Sequence, residues 1–387
     1  MSLGTAIYAK LRGDRAIWMI VAMLSLISLL AVYSATGSLA YQVRGGDTEA
    51  FLVKHAVILL FGLGLLFLCY KMPYTRFKTM APYLVLIAIP LLVYTIAMGD
   101  AINSARRWIG VFGFTFQTSD FAKLALILFV AREITRHKDY IKDFQSAFLP
   151  IIVPILLVVS LIAPADLSTA LLLFFVALLM MFIGRVDIKF ILLLLLLGIV
   201  VFAFLIVMGE FFPDIIRVET WVNRIRDFFS DDPASGYQME HAKMAIANGG
   251  LFGEGPGNSM MRGYLPAAYS DFVYATILEE YGLWGGLLVL SLYVLLFFRA
   301  TALVTKSQKS FGAMAAVGLS LLLVMQALAN MAVSVNLVPV TGLPLPMISM
   351  GGTSLLLTCI AFGIILSVSK HIERQAQREK EAADETY

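Results

Sequence analysis

The stretch "GYLPAAYSDFVYATILEEYG", from Gly263 to Gly282, carries a lone acid, Asp271, among aromatic and small residues, eight positions before the pair Glu279 and Glu280. A polar loop precedes it and an apolar run of 18 residues, Tyr281 to Phe298, follows it. At about 1.5 Å per residue that run spans roughly 27 Å, close to the thickness of a bilayer core. Glu279 and Glu280 then fall at the membrane boundary and Asp271 about two turns above it. A carboxylate at that height can act as a base on the head group of a lipid-linked substrate. It can equally start the helix, because "SD" before an apolar run suits an N-terminus. Glu279 and Glu280 read as interface acids or as walls of a cavity, since acids facing lipid are costly.

Arg106 and Arg107 lie in "NSARRWIGVFGFTFQTSD", a short segment between two apolar runs. A guanidinium pair beside Trp108 suits phosphate or pyrophosphate, which the planar fork binds through two hydrogen bonds. Lipid head groups would satisfy the same pair. Lys123 is four residues into the next apolar run, with Asp120 three positions earlier. It is an i,i+3 partner, a snorkelling lysine, or a second cation for the same anion. "NLVPVTGLPLPMISMGGTS" holds three prolines and three glycines and no charge. Such a segment cannot continue a helix, and at membrane depth it must be buried in protein or line a cavity. Gln326 and Asn330, shortly before it, Asn336, which opens it, and Ser349, within it, are candidate cavity-lining groups beside a packed-turn reading.

These groups need a membrane scaffold. Apolar residues make up 60% of the 387-residue chain and charged residues 14%, against about 45–50% and about 25% in soluble domains. Ten spans are expected, near 17–37, 52–71, 79–98, 119–135, 147–163, 167–184, 189–208, 273–298, 310–335 and 352–370. With the N-terminus inside, 19 of the 29 basic residues fall on inside segments, which sets both termini in the cytoplasm. Arg106 and Arg107 break that rule, so a local benefit must hold them outside. The fold class is an all-α polytopic membrane protein: one integral domain over 1–370 and a charged cytoplasmic tail over 371–387.

One large outer loop, 209–272, joins the seventh and eighth spans. "RVETWVNRIRDFF" reads as a short amphipathic helix able to lie on the membrane surface, with Val218, Trp221, Val222, Ile225, Phe228 and Phe229 on its apolar face. "DDPASG" breaks it, "QMEHAKMAIANGG" forms a second helix, and "GGLFGEGPGNS" is a turn. Cys69 and Cys359 lie in separate apolar runs, and His55, His137, His241 and His371 are scattered. Neither disulfides nor a histidine metal site is expected. The net charge of +3 gives no sign of a nucleic-acid partner. No repeat of the kind that builds many transporters is present.

"RRWI…FTFQTSDFAKLAL", "GGLFGEGPGNS", "LPAAYSDFVYATILEEYGLWG" and "PVTGLPLPMISMGGTSLL" resemble, in this order, the signatures of the SEDS family (shape, elongation, division and sporulation). The resemblance covers nearly all ten spans. It implies a peptidoglycan glycosyltransferase of the bacterial inner membrane that polymerises lipid II at the outer face. It also implies a class B penicillin-binding transpeptidase as partner, together with other divisome membrane proteins. Asp271 stands at the position of the family's essential acid. Ala267, Tyr269, Ser270, Thr118, Asp120 and Ser168 depart from its usual residues. "PVTGLPLPMISMGGTS" is closer to the division type than to the elongation type. A divalent cation, magnesium or manganese, is the expected cofactor, with no organic group. The competing readings are a lipid II flippase and a scaffold that recruits the transpeptidase.

Overall fold

In the computed structural model the described residues are 12–37, 48–102, 105–111, 114–213, 216–230, 237–265, 268–306 and 311–384. The expected helix break over 231–236, Ala267 and the side chain of Arg106 lie outside them. The chain forms α1 (Arg15–Ala35), α2 (Thr48–Lys71), α3 (Tyr74–Met98), strands β1 (Asp100–Ile102), β2 (Ala105–Val111) and β3 (Phe114–Gln117), and α4 (Thr118–Arg136). Next come α5 (Leu149–Ile162), α6 (Leu167–Ile183), α7 (Ile188–Phe211), α8 (Val218–Phe229), α9 (Tyr237–Gly249), α10 (Val273–Lys306), α11 (Phe311–Ser334) and α12 (Gly352–Asp384).

Among the described residues, eight helices are long and apolar enough to cross a membrane. α6 is apolar but has only 17 residues. α4 has 19 residues and carries Asp120, Lys123, Arg132, Glu133 and Arg136. With these two, the helices occupy the ten stretches expected to span. Leu-, Ile- and Val-rich runs have no other way to satisfy their backbone in lipid than as helices.

Burial orders the bundle. α11 is enclosed on almost every face, from Phe311 through Val324 and on to Asn330. It is apolar all round, as a helix surrounded by other helices must be. α7 is the opposite: only Leu194, Leu205 and Gly209 are buried. Its exposed Leu, Ile and Phe side chains face the surroundings, which suits a helix at the lipid boundary.

The two chain ends meet on one side. The Asp14 amide donates to Ser369 Oγ of α12 at 2.7 Å, and Arg299 of α10 pairs with Asp14 at 2.6 Å.

The all-α expectation needs one correction. Residues 100–102, 105–111 and 114–117 build a three-stranded antiparallel sheet, with Trp108 opposite Gln117 and Ile109 opposite Phe116. Alternating residues such as those of "FTFQ" favour strand pairing once a neighbour is present, and that neighbour is non-local information. The sheet leads straight into the N-terminus of α4.

The segment 335–351 folds back into the protein, as its prolines and glycines require. Six side chains or backbone partners tie it down. Arg224 donates to the Thr341 carbonyl at 3.2 Å, Asn330 to Leu343 at 2.8 Å and Gln326 to Pro344 at 2.8 Å. Tyr293 donates to Pro346, Ser28 to Ile348 at 3.1 Å, and the Met350 amide to the Tyr269 carbonyl at 2.9 Å. Irregular backbone survives at this depth because helices α1, α8, α10 and α11 each supply a donor.

The turn "GGLFGEGPGNS" packs on α10 where that helix breaks. Gly282 has φ 64° inside α10, and Gly253 has φ 81° in the turn. A Cβ on Gly253 would overlap the Glu280 carbonyl. Glycine at both positions allows the Glu254 amide to reach Glu279 O, and the Gly255 amide to reach Glu280 O, both at 3.0 Å.

Candidate functional site

The site forms where α8, the β2 strand, the N-terminus of α6 and the folded-back segment meet. Arg107, on β2, donates from Nε to the Ala165 carbonyl at 2.7 Å and pairs with Asp166 at 3.3 Å. Asp166 also caps α6, accepting from the Thr169 amide at 3.1 Å. One carboxylate thus starts a helix and fixes a guanidinium.

Arg217, Thr220, Trp221 and Arg224 of α8 stand opposite, spaced i, i+3, i+4 and i+7. That spacing puts all four on one face. Together with Ser168 and residues 338–341 they enclose a cavity of about 230 Å³.

Asp271 lies two residues before α10; it does not line this cavity itself but stands next to its wall, across Gly342 from Arg224. Its Oδ1 accepts from Ser270 Oγ at 2.7 Å, and its carbonyl accepts from Asn330 Nδ2 at 2.8 Å. Ser349 Oγ donates to the Ser270 carbonyl at 2.6 Å and accepts from the Leu345 amide at 2.8 Å. The acid is therefore clamped between α11 and the folded-back segment. Burial raises its pKa above the ordinary carboxylate value, against the opposing pull of Ser270, Arg224 and Arg107. A carboxylate whose pKa is raised takes up a proton more readily than an ordinary one. Burial, together with the neighbouring Arg107, lowers the pKa of both Arg217 and Arg224.

The remaining candidates stand elsewhere. Lys123 is buried on α4, with Nζ 2.7 Å from Asp120 and 3.0 Å from Gln326 Oε1. It is not among the cavity-lining residues. Gln326 and Asn330 are buried on α11 and hold the folded-back segment from behind. Glu279 is buried against the outer turn, where it accepts from Ser259 Oγ and from the amides of Met260 and Met261 at 3.0 and 3.1 Å. Glu280 accepts from Ser34 Oγ of α1, and Arg262 donates to the Ser34 carbonyl at 3.2 Å. Glu279 and Glu280 thus tie the turn and α1 to α10 instead of lining the cavity. Asn336 ends α11 with φ 57°. Ser349 joins the Asp271 loop to the folded-back segment.

Sequence reasoning missed Arg217, Arg224 and Asp166 as members of the site. A signal was present. On "RVETWVNRIRDFF" the polar stripe Arg217, Thr220, Arg224 runs beside the apolar stripe, and only the apolar one was given a role.

Among the described residues no three His, Cys, Asp or Glu side chains converge as a metal-binding group. Asp166 lines the cavity with one oxygen paired to Arg107 and the other accepting from the Thr169 amide, and Asp271, beside Arg224, has one oxygen engaged by Ser270. That donor set suits a cation arriving with phosphate oxygens, as magnesium commonly does, better than a resident all-protein cage.

A second cavity, about 380 Å³ and almost wholly apolar, lies between α5, α6 and α7. Leu167 and Leu171 line both cavities, so the apolar cavity lies next to the charged one.

A polytopic helical membrane protein with a carboxylate and a cluster of guanidiniums at the outer ends of its helices defines a class that handles anionic lipid head groups. Comparison with known proteins places it within that class. The sequence model of the family described as "Cell cycle protein", FTSW_RODA_SPOVE, matches residues 14–374. The chain belongs to this family and is a multi-pass protein of the bacterial cytoplasmic membrane. It is 30% identical over 377 residues to a probable peptidoglycan glycosyltransferase FtsW of Geobacter sulfurreducens, covering 96% of this chain and 99% of that one. The FtsW of Tolumonas auensis, with the same description, is 32% identical over 379 residues, 96% of each chain. The crystal structure of the Thermus thermophilus rod shape determining protein RodA superposes with a TM-score of 0.67 at 25% identity, covering 94% and 98%. A chain from a structure titled "Structural coordination of polymerization and crosslinking by a peptidoglycan synthase complex" superposes at 0.71 with 24% identity, covering 93% and 98%.

Proposed function

We propose that the protein is a peptidoglycan glycosyltransferase that polymerises lipid II at the outer face of the cytoplasmic membrane, in septal wall synthesis. The observation that carries the reading is the placement of Asp271 beside Arg224, which lines a cavity together with Arg107 and Arg217. The FtsW relatives, matched over nearly their full length, support the activity.

The reaction joins two lipid-linked sugars. The 4-hydroxyl of the acceptor N-acetylglucosamine attacks the anomeric carbon of the donor N-acetylmuramic acid. The new C–O bond forms as the bond to the diphosphate oxygen breaks, and the diphosphate leaves with the electron pair. Asp271 takes the hydroxyl proton, a step worth typically 10²–10⁴-fold. An α-linked donor then gives a β-linked product by one inverting displacement, for which one base suffices. Arg107 faces the charge that gathers on the leaving diphosphate, and fixed guanidiniums stabilise such charge without reorganising. A divalent cation, if bound with the substrate, would be held by Asp166 or Asp271 and would neutralise phosphate charge. The apolar groove between α5, α6 and α7 accommodates a prenyl tail and delivers its head group to the charged cavity. Lys123, paired with Asp120, acts on this site through Gln326 and the folded-back segment. One structural neighbour comes from a complex that coordinates polymerization and crosslinking, which supports a crosslinking transpeptidase beside this chain; its assignment to the class B penicillin-binding type, and the other division proteins around it, are part of the proposal.

Purified protein supplied with labelled lipid II tests the reading on a gel. A ladder of glycan strands supports it. Transfer of lipid II across a liposome membrane without a ladder would establish a transporter instead. Neither activity, with the transpeptidase partner still recruited, would establish a scaffold.

A further inference from the structure

His55 is buried within the apolar run of α2, and no step of the reaction uses it. An ionisable group at that depth is costly unless a partner meets it. Its Nε2 lies 2.8 Å from Ser28 Oγ of α1, and Ser28 Oγ donates to the Ile348 carbonyl of the folded-back segment at 3.1 Å. A serine has one O–H. With that proton spent on Ile348, the imidazole N–H is the donor and Oγ the acceptor. A chain of hydrogen bonds therefore runs from α2 through α1 to residue 348. Buried serines commonly return their proton to their own helix. Ser25 does so on Val21 at 2.7 Å, and Ser320 on Ala316 at 2.8 Å. Ser28 is turned outward instead, and the histidine behind it strengthens the bond it gives.

Ile348 belongs to a tight turn. The Ile348 and Ser349 amides both donate to the Leu345 carbonyl, at 3.2 and 3.0 Å, and the Leu345 amide donates to Ser349 Oγ at 2.8 Å. Met347, inside the turn, has φ 70°. A methionine keeps that left-handed backbone only where its surroundings hold it. The carbonyls on both sides of it are held: Tyr293 donates to Pro346, and Ser28 to Ile348. The next two residues carry the turn to the acid. Ser349 Oγ donates to the Ser270 carbonyl at 2.6 Å, and the Met350 amide to the Tyr269 carbonyl at 2.9 Å. Ser270 Oγ donates in turn to Asp271 Oδ1 at 2.7 Å. Ser28 and His55 thus stand behind the strained turn, and Asp271 in front of it.

We propose that Ser28 and His55 are positioning residues for Asp271, fixing the turn at Met347 that holds the Ser270–Asp271 loop in place. The kinetic consequence rests on the glycosyltransferase reading. A base held loosely leaves substrate binding intact and lowers turnover, because the misplacement is felt at the proton being transferred.

The test is polymerisation kinetics with labelled lipid II on full-length variants, with hydrogen–deuterium exchange of segments 268–272 and 345–351 measured on the same samples. Ser28→Ala and His55→Leu should each lower kcat by about tenfold to a hundredfold and leave KM within about twofold. Both should speed exchange in the two segments. The double variant should be no slower than the worse single one, because the two groups act in series. His55→Gln, whose side-chain N–H still reaches for Ser28, should stay within about threefold of the wild type. Ser320→Ala removes a buried hydroxyl that bonds within its own helix and should change neither kcat nor exchange in these segments. Additive losses in the double variant, a change confined to KM, or wild-type exchange in 345–351 would each overturn the proposal. If the wild type makes no glycan, the enzyme reading fails and the exchange result alone decides the positioning role. If it makes glycan and Ser28→Ala matches it in kcat, the positioning role alone fails.

Discussion

Asp271 and Arg224 approach each other across Gly342. A Cβ placed on that glycine would lie 3.7 Å from Asp271 Oδ2 and 3.8 Å from Arg224 Nη2. The base and the cation come from segments 47 residues apart in sequence, and a backbone with φ +71° leaves the space between them open.

Gly342→Ala should therefore reduce activity more than stability. The left-handed conformation costs an alanine about 1–2 kcal/mol. The added methyl group also enters the gap between the two functional side chains. Glycan synthesis should drop well beyond the accompanying change in melting temperature, and parallel assays of both quantities check this.

Arg224→Gln should move the acid limb of the pH–rate profile to higher pH. The guanidinium lowers the pKa of Asp271, with Arg107 and Ser270 acting in the same direction and Asp166 in the opposite one. Removing it raises that pKa further, and the base must be ionised to work. Activity at mildly acidic pH should fall more steeply than activity at alkaline pH. An unshifted limb would show that the two groups are not electrostatically coupled.

Asp271→Asn should leave the protein as stable as the wild type or more so at neutral pH. Burial raises the folded-state pKa above the ordinary 3.8. A carboxyl of this kind is held best when protonated, so its ionisation opposes folding. The penalty sets in as pH rises past the unfolded value and is complete above the folded one. Asparagine carries no charge, and its advantage should shrink as the pH is lowered toward 4. Thermal unfolding in detergent across that range measures it.

Lys123→Met should destabilise the bundle by about 3–5 kcal/mol, because Asp120 would remain as a buried, unpaired charge. Asp120→Leu combined with Lys123→Met should restore most of the loss. The same double variant tests position against charge. If it polymerises normally, Lys123 serves only the helix interior; if it folds but stays slow, the contact through Gln326 to Pro344 matters to the site.

Much of this architecture is legible in the sequence, for a physical reason. A run of about 20 apolar residues in lipid can only be a helix, whatever its neighbours. The stretches that became α1, α7, α11 and α12 were therefore readable one at a time, and so was the need of 335–351 to be enclosed. The three-stranded sheet was not, because a strand is defined by the partner it pairs with. Asp271 stood out as an acid at a membrane boundary. Arg224 did not, because its role depends on where α8 docks, and that is set by Trp221 on Phe202 and by Gly209. Glu279 and Glu280 were read from their position along the helix, but direction around a helix decides their contacts. They reach the outer turn and α1, just before the break at Gly282.

The most direct measurement is glycan polymerisation by purified Asp271→Asn beside the wild type, with labelled lipid II and with thermal unfolding recorded on the same samples. The account predicts ladders from the wild type, none from the variant, and equal or higher stability of the variant at neutral pH. Ladders of wild-type length and rate from Asp271→Asn would contradict it.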